Sequence, residues 1–210
     1  MGPTFYTATV AEFRPDPTGE REYTPPTEGV NLSMTATADR PTGMVALTNA
    51  RIITMAGEDG GVIENGTIVI DGNRIAAIGA DVAVPEGARV VDLDGRTITP
   101  GFIDAHAHGP QGTGDIIPEQ NWSAIAHLAL GVTTIHDPSS QASHIFTAGE
   151  YQRAGRYLAP RIYSTGEIVY GARAASVYAQ IDNYEDATEH VFRLASQGAH
   201  SIKNYNQPRR

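Results

Sequence analysis

Residues 100–109 read Pro-Gly-Phe-Ile-Asp-Ala-His-Ala-His-Gly, and this stretch decides the fold. Its apolar beginning predicts a short strand over 102–108. Because His106 and His108 are two positions apart, both side chains would point to the same face of that strand. They stand at its C-terminal end, which is where α/β barrels place their active sites.

The pattern after Gly109 alternates between strands and helices. Further strands are predicted over 132–136, 161–165 and 201–205, and helices over 119–130, 146–158 and 185–196. This alternation is typical of a parallel α/β sheet.

The residues before Pro100 divide into two regions. Residues 44–100 predict a small antiparallel sheet with a hairpin turn at Asp71-Gly72-Asn73, because Gly and Asn tolerate positive φ. This region contains no cluster of titratable side chains, so we interpret it as scaffold. Residues 1–43 are rich in Pro and Thr and predict an extended arm with at most one or two edge strands, disorder being the alternative.

Composition excludes several classes of function. The chain has 15 Lys and Arg against 24 Asp and Glu, a formal charge of −9, which argues against a nucleic-acid or anionic-membrane partner. With no Cys, disulfides and thiolate metal ligands are excluded. There is no apolar run of the ~20 residues needed to span a bilayer and no secretion signal, so the cytoplasm is the default location.

The paired histidines are the best candidates for chemistry. Imidazole is a good ligand for zinc and similar divalent ions, and two on one strand are held at chelating distance. A pair of structural histidines is the alternative. Asp104, His136 and Asp137 are weaker candidates, either orienting a ligand or making structural hydrogen bonds. The remaining candidates, on or beside helices, are interpreted as surface or helix-end residues: His127, His190 and His200.

The stretch 100–109 resembles the first metal motif of the amidohydrolase superfamily. The preceding sheet is similar to the N-terminal half of the small β-sandwich beside many of these barrels. Gly131 to Asp137 and Gly198 to Tyr205 are similar to the second and fourth barrel strands. Residues 201–210 resemble more narrowly a group in which the amidohydrolase domain follows a TolB-like β-propeller.

The resemblance implies a fold and a division into domains. The fold would be α/β, the N-terminal part of a (β/α)8 TIM-like barrel with about four strands and three helices, preceded by part of a small β-sandwich. The arm would occupy 1–43, the partial sandwich 44–100, and the first half of the barrel 101–210, truncated after the fourth strand.

The resemblance also implies a metal site. His106, His108 and Lys203 would be ligands for one or two divalent ions, zinc being expected, with Lys203 carbamylated. A lysine aimed into a metal-bearing cavity is driven towards its neutral amine, and only that amine reacts with carbon dioxide. The implied reaction is hydrolysis of amide-like C–N bonds other than peptide bonds, in cyclic or peptide-like small molecules, by a metal-activated hydroxide.

Other parts of the family's site have no counterpart here. Two further histidines would come from the fifth and sixth strands, and the aspartate that handles the proton from the eighth, whereas a complete barrel takes about 250 residues. We therefore expect a fragment of a larger hydrolase, inactive alone and without an assignable catalytic base. A propeller-bearing parent would also fit the periplasm.

Two other interpretations stay open. The half-barrel could be completed by a second copy through its exposed edge, since symmetric pairing is the common route to oligomers. Alternatively, the chain is a non-catalytic metal-binding or interaction module.

Overall fold

The computed structural model describes residues 4–13, 18, 24, 26–35, 37–109, 116–171 and 178–205. The N-terminal arm contains strand β1 (Thr4–Phe5), the short helix α1 (Val10–Phe13) and strand β2 (Val30–Asn31). β1 and β2 pair in antiparallel fashion.

The five-stranded sheet that follows is mixed. It consists of β3 (Met44–Ile53), β4 (Val62–Asp71), β5 (Arg74–Gly79), β6 (Arg89–Asp92) and β7 (Thr97–Ile98). The predicted hairpin joins β4 to β5, with Gly72 at a φ of +56°. β6 and β7 are parallel to β3, so the prediction of a purely antiparallel sheet is wrong. The reason is the connection 80–88, which carries the chain past β4 to the far edge of β3 instead of turning back.

A three-stranded parallel sheet carries the second part of the chain. Its strands are β8 (Phe102–Asp104), β9 (Val132–Asp137) and β10 (Arg161–Ser164), in the order β10-β9-β8. Helices α2 (Trp122–Ala129) and α3 (Ala142–Arg153) connect them, and α4 (Tyr184–Gln197) follows. The predicted α/β class, with the N-terminal part of a (β/α)8 barrel, is confirmed.

One face of the parallel sheet packs against the helices. The core there contains residues from β9, β10, α2, α3 and their connections: Ala107, Ala124, Ile135, Ile145, Ala148, Tyr157, Ala159 and Ile162. None of the helices among the described residues combines the length and apolar character that a bilayer crossing requires.

Helix boundaries differ from the predicted ones because side chains cap them. α2 begins at Trp122, since the Asn121 side chain accepts hydrogen bonds from the N–H groups of Ser123 and Ala124. α3 begins at Ala142, four residues before the predicted start, and ends at Arg153. The Ala142 N–H donates to Glu167 Oε1 at 2.9 Å, a cap from a residue distant in sequence.

Two predictions about strands are wrong. The stretch 167–180, for which the sequence predicts no helix or strand, contains β11 (Ile168–Tyr170) and β12 (Tyr178–Gln180), which pair in parallel, while residues 172–177 lie outside the described ranges. The predicted fourth strand at 201–205 is not formed. A strand requires a ladder of hydrogen bonds to a neighbour, and the backbone bond of this segment to β11 is a single one, from the Val169 N–H to the Lys203 carbonyl at 3.0 Å.

Candidate metal centre

The two histidines of the H-x-H motif lie on a turn directly after β8. The strand ends at Asp104 because that side chain accepts a hydrogen bond from the His106 N–H at 3.0 Å, which forms a turn. The prediction that both histidines are part of the strand is therefore wrong. They nevertheless come together, with ring centroids 5.0 Å apart and ring planes at 70°.

The turn is attached to the next strand through its middle residue. Ala107 is buried, and its N–H donates to the carbonyl of His136 at 3.0 Å. The backbone between the two histidines is thus held at the C-terminal end of β9, while both imidazole rings remain exposed. This arrangement leaves both rings accessible to a ligand.

A buried carboxylate lies behind His108. The Asp137 Oδ1 atom is 3.4 Å from His108 Nδ1, and the side chains of the two residues are 2% and 50% exposed respectively. Asp137 also accepts a hydrogen bond from the Ser139 N–H at 2.9 Å. Burial raises the pKa of Asp137, and the bonds from Ser139 and His108 oppose that rise. With Nδ1 facing Asp137, Nε2 is the His108 nitrogen that faces away and can bind a ligand.

Lys203, the third predicted ligand, lies on the segment after α4. Its side chain is half-buried, and Nζ lies 5.3 Å from the centroid of the Tyr205 ring. Tyr205 in turn contacts Tyr170 edge-on at 5.5 Å. The structure therefore brings His106 and His108 together and places the Lys203 ammonium group over an aromatic ring.

The donors present fit a divalent metal ion in kind but are too few. Two adjacent imidazoles, one backed by a carboxylate, form the donor set that zinc and similar ions prefer. Over the ranges that the structure describes, no group of three or more His, Asp or Glu side chains converges closely enough to hold an ion. Zinc sites take at least three protein ligands, so these two histidines alone would not make a complete zinc site.

The weaker candidates occupy distinct positions. His136 Nε2 lies 2.8 Å from Ser201 Oγ, a contact that no sequence pattern indicates. His127 lies on α2 with Nδ1 2.7 Å from the Ser123 carbonyl. His190 lies on α4, and His200 contacts Tyr163 edge-on at 5.4 Å.

Sequence analysis missed two serines beside these histidines. Ser139 lies with its hydroxyl 3.4 Å from His108 Nδ1, and its spacing from Asp137 is that of a local turn, so it could have been found. Ser201 is distant in sequence from its partner and carries no such signal. Residues 110–115, which directly follow the motif, lie outside the described part of the chain.

Comparison with known proteins shows partial matches. No family model matches the chain. An imidazolonepropionase from Roseobacter denitrificans is 46% identical over 65 residues, which is 29% of this chain and 16% of the relative. The chain thus spans a small part of the curated relatives that it matches.

Solved structures match over a longer range. An amidohydrolase superposes with a TM-score of 0.62 at 18% identity, covering 77% of this chain and 46% of that protein. A Xaa-Pro dipeptidase with bound methionine superposes with a TM-score of 0.61 at 19% identity, covering 77% of this chain and 47% of that protein. At this identity the likeness concerns the fold.

Proposed function

Because the chain has the N-terminal half of the amidohydrolase-superfamily fold, we propose that it is part of a metal-dependent hydrolase of C–N bonds. In this proposal His106 and His108 bind a divalent ion, with zinc as the first choice. Lys203 completes this chain's share of the ligands after carbamylation. Together these are three protein ligands, which is the smallest number that a zinc site takes.

The observation that carries the proposal is the contact between His108 and the buried Asp137. A carboxylate on Nδ1 fixes the tautomer and the orientation of the ring, which is how metal-binding histidines are commonly held. A histidine with a merely structural role would be expected to turn its ring into the core. Here the ring is half-exposed at the end of β9, where the fold places reacting groups.

The chain's own residues would hold and orient the reacting groups. His106 and His108 supply neutral nitrogen donors from one short turn, and Asp137 keeps His108 Nε2 directed outward. When bound, a divalent ion would supply an activated water and polarise the scissile carbonyl. No catalytic base is assigned among the described residues.

The substrate class in this proposal is an amide-like bond in a small molecule or a short peptide. The local sequence match is to an imidazolonepropionase, and one structural match is to a Xaa-Pro dipeptidase. The proposal therefore includes peptide bonds, although the sequence analysis expected them to be excluded. The link to propeller-fused proteins rests on residues 201–210, of which 206–210 lie outside the described residues.

Metal content per chain tests the proposal. We expect one to two equivalents by plasma mass spectrometry on protein purified without chelator and with bicarbonate present. His106→Ala and His108→Ala should lose the metal, and Asp137→Asn should weaken binding by about 10- to 100-fold, since it removes the charge behind His108. His190→Ala is the matched control, because that histidine lies on α4 and contacts Arg193 of the same helix, and it should retain the metal.

Other outcomes of the metal measurement would contradict the proposal or favour one of the alternative interpretations. Metal well below one equivalent in the unmodified chain, or equal loss in the His190→Ala control, would contradict the site. Metal retained without hydrolysis of any amide or dipeptide would favour a non-catalytic metal-binding module. A dimeric mass accompanied by metal and turnover would favour a barrel completed by a second copy.

A further inference from the structure

His136 contacts both parts of the proposed ligand set. Its backbone carbonyl accepts a hydrogen bond from the Ala107 N–H at 3.0 Å, and Ala107 stands between the two histidines of the motif. Its side chain reaches the other way, with Nε2 2.8 Å from the hydroxyl of Ser201. Ser201 is two residues before Lys203. A single residue at the end of β9 thus connects the H-x-H turn to the Lys203 segment.

The Lys203 segment is attached mainly through side chains. Among the described residues, 201–205 form no strand, and their backbone bond to the sheet region is the one from the Val169 N–H to the Lys203 carbonyl. Tyr205 contacts Tyr170 of β11 edge-on at 5.5 Å between ring centroids. His200, directly before the segment, contacts Tyr163 at 5.4 Å between ring centroids. Because no ladder holds this segment, the loss of one side-chain hydrogen bond changes its position more than it would in a paired strand.

The contact between His136 and Ser201 also agrees with barrel geometry. In a (β/α)8 barrel, side chains from alternate strands share an interior layer. His136 belongs to the second barrel strand, and Ser201 begins the segment where the fourth is expected. On β10, the third barrel strand, Tyr163 pairs in register with His136. Its side chain therefore points to the same side of the sheet as the His136 side chain.

We infer that His136 is a positioning residue that holds the Lys203 segment at a set distance from the H-x-H turn. The ligand part of this inference rests on the proposed function. The structural part does not, because it concerns hydrogen bonds that exist without metal. His136 itself is not placed among the metal ligands.

Hydrogen exchange of the Val169 amide tests the structural part in the full chain with chelator present. That amide donates to the Lys203 carbonyl and therefore reports whether the segment is in place. Ser201→Ala and His136→Gln should each speed its exchange by about tenfold, and the double variant should add little, because both changes remove the same bond. Ser201→Thr keeps the hydroxyl and should restore slow exchange.

Ser196→Ala is the matched control. The Ser196 hydroxyl donates to the Arg193 carbonyl within α4 at 2.7 Å and has no link to β9. It should leave the Val169 amide unchanged. Unchanged exchange in Ser201→Ala, or equal acceleration in Ser196→Ala, would overturn the inference.

Cobalt affinity tests the ligand part, with bicarbonate present. Ser201→Ala should raise the dissociation constant of Co²⁺ by about tenfold in the wild-type background and leave it unchanged in a Lys203→Ala background. Faster Val169 exchange with unchanged Co²⁺ affinity would overturn the ligand-positioning role. If the wild-type chain binds no metal, the proposed function fails and the ligand role with it, while the exchange result decides the structural part alone.

Discussion

Two titratable side chains in the described structure are almost completely buried, and each is held by named partners. Asp137 is joined to His108 and Ser139. Tyr157 is 4% exposed and hydrogen-bonds the side chain of Asn121, which also caps α2. Because burial disfavours a charge, both groups make stability depend on pH.

The free energy of unfolding should fall as the pH rises above 10. Burial raises the pKa of Tyr157 above its usual 10.0, and the bond with Asn121 partly opposes this. Near that pH the unfolded chain therefore releases a proton that the folded chain keeps. With fewer protons bound in the unfolded state, stability decreases with pH.

Urea unfolding of the wild type and Tyr157→Phe at pH 8, 9.5 and 11 measures this effect. At pH 8 the variant should be less stable by about 0.5–1.5 kcal/mol, the usual worth of one hydrogen bond. At pH 11 the difference in unfolding free energy between the two proteins should be smaller. The reason is that only the wild type has a phenol, which must stay protonated in the folded state at that pH. Parallel stability profiles of the two proteins would contradict the assignment.

The starts of the helices are set by caps that lie at different distances along the sequence. α2 and α4 begin at Asn121 and Asn183, whose side chains accept hydrogen bonds from backbone N–H groups of the first turn. α3 receives its cap from Glu167, which also pairs with Arg193 of α4 at 3.1 Å. Local caps can be recognised in sequence, whereas a cap from another element cannot. This difference explains why the start of α3 was predicted wrongly.

Two Gly→Ala substitutions should change stability in opposite directions. Gly149 lies inside α3, where an added Cβ would make ordinary contacts with Arg153 and Ile162 at 3.4–3.9 Å. Gly149→Ala should therefore stabilise the fold by about 0.5–1 kcal/mol. Gly198 ends α4 at a φ of +111°, and the Cβ would lie 3.8 Å from Phe146. With space available, Gly198→Ala should destabilise through backbone strain alone, by about 1–2 kcal/mol.

Thermal and urea unfolding of both variants checks this pair. Since each substitution adds the same methyl group, the burial of that group cannot explain opposite signs. Destabilisation by Gly149→Ala would mean that α3 is packed more tightly than the contact distances indicate. A neutral Gly198→Ala would mean that the end of α4 rearranges without cost.

Considered as a whole, the described molecule has a sheet edge with exposed apolar side chains. β8 pairs with β9 on one side, and Phe102 and Ile103 on β8 are 63% and 70% exposed. Exposed edges of this kind promote association between chains. The formal charge of −9 opposes association, and salt screens that repulsion.

The 210-residue chain should therefore self-associate as concentration and salt increase. Ile103→Lys places a charge on the edge of the sheet. It should raise the midpoint concentration of self-association by about tenfold, which corresponds to about 1.4 kcal/mol of association free energy. Sedimentation equilibrium at several salt concentrations measures it. Phe192→Lys, at a site 71% exposed on α4, adds the same charge on a helix and should have a smaller effect. Equal effects of the two variants would show that net charge, and not the edge, controls association.

The sequence by itself determined the parallel α/β class and the adjacency of His106 and His108. It also indicated the hairpin at Asp71 to Asn73 and, to within one residue, the bounds of α4. These features depend on the alternation of strands and helices, on the spacing of residue types and on local backbone preference, all of which are set by residues close together in the sequence.

Only the tertiary structure decided how these features are connected. The cap of α3 by Glu167, the parallel pairing of β6 with β3, and the bond from His136 to Ser201 join residues far apart in the chain. The same holds for the segment at 201–205, whose residues suit a strand but have no ladder to join. Such contacts depend on which surfaces meet once the elements pack, and no local pattern encodes that outcome.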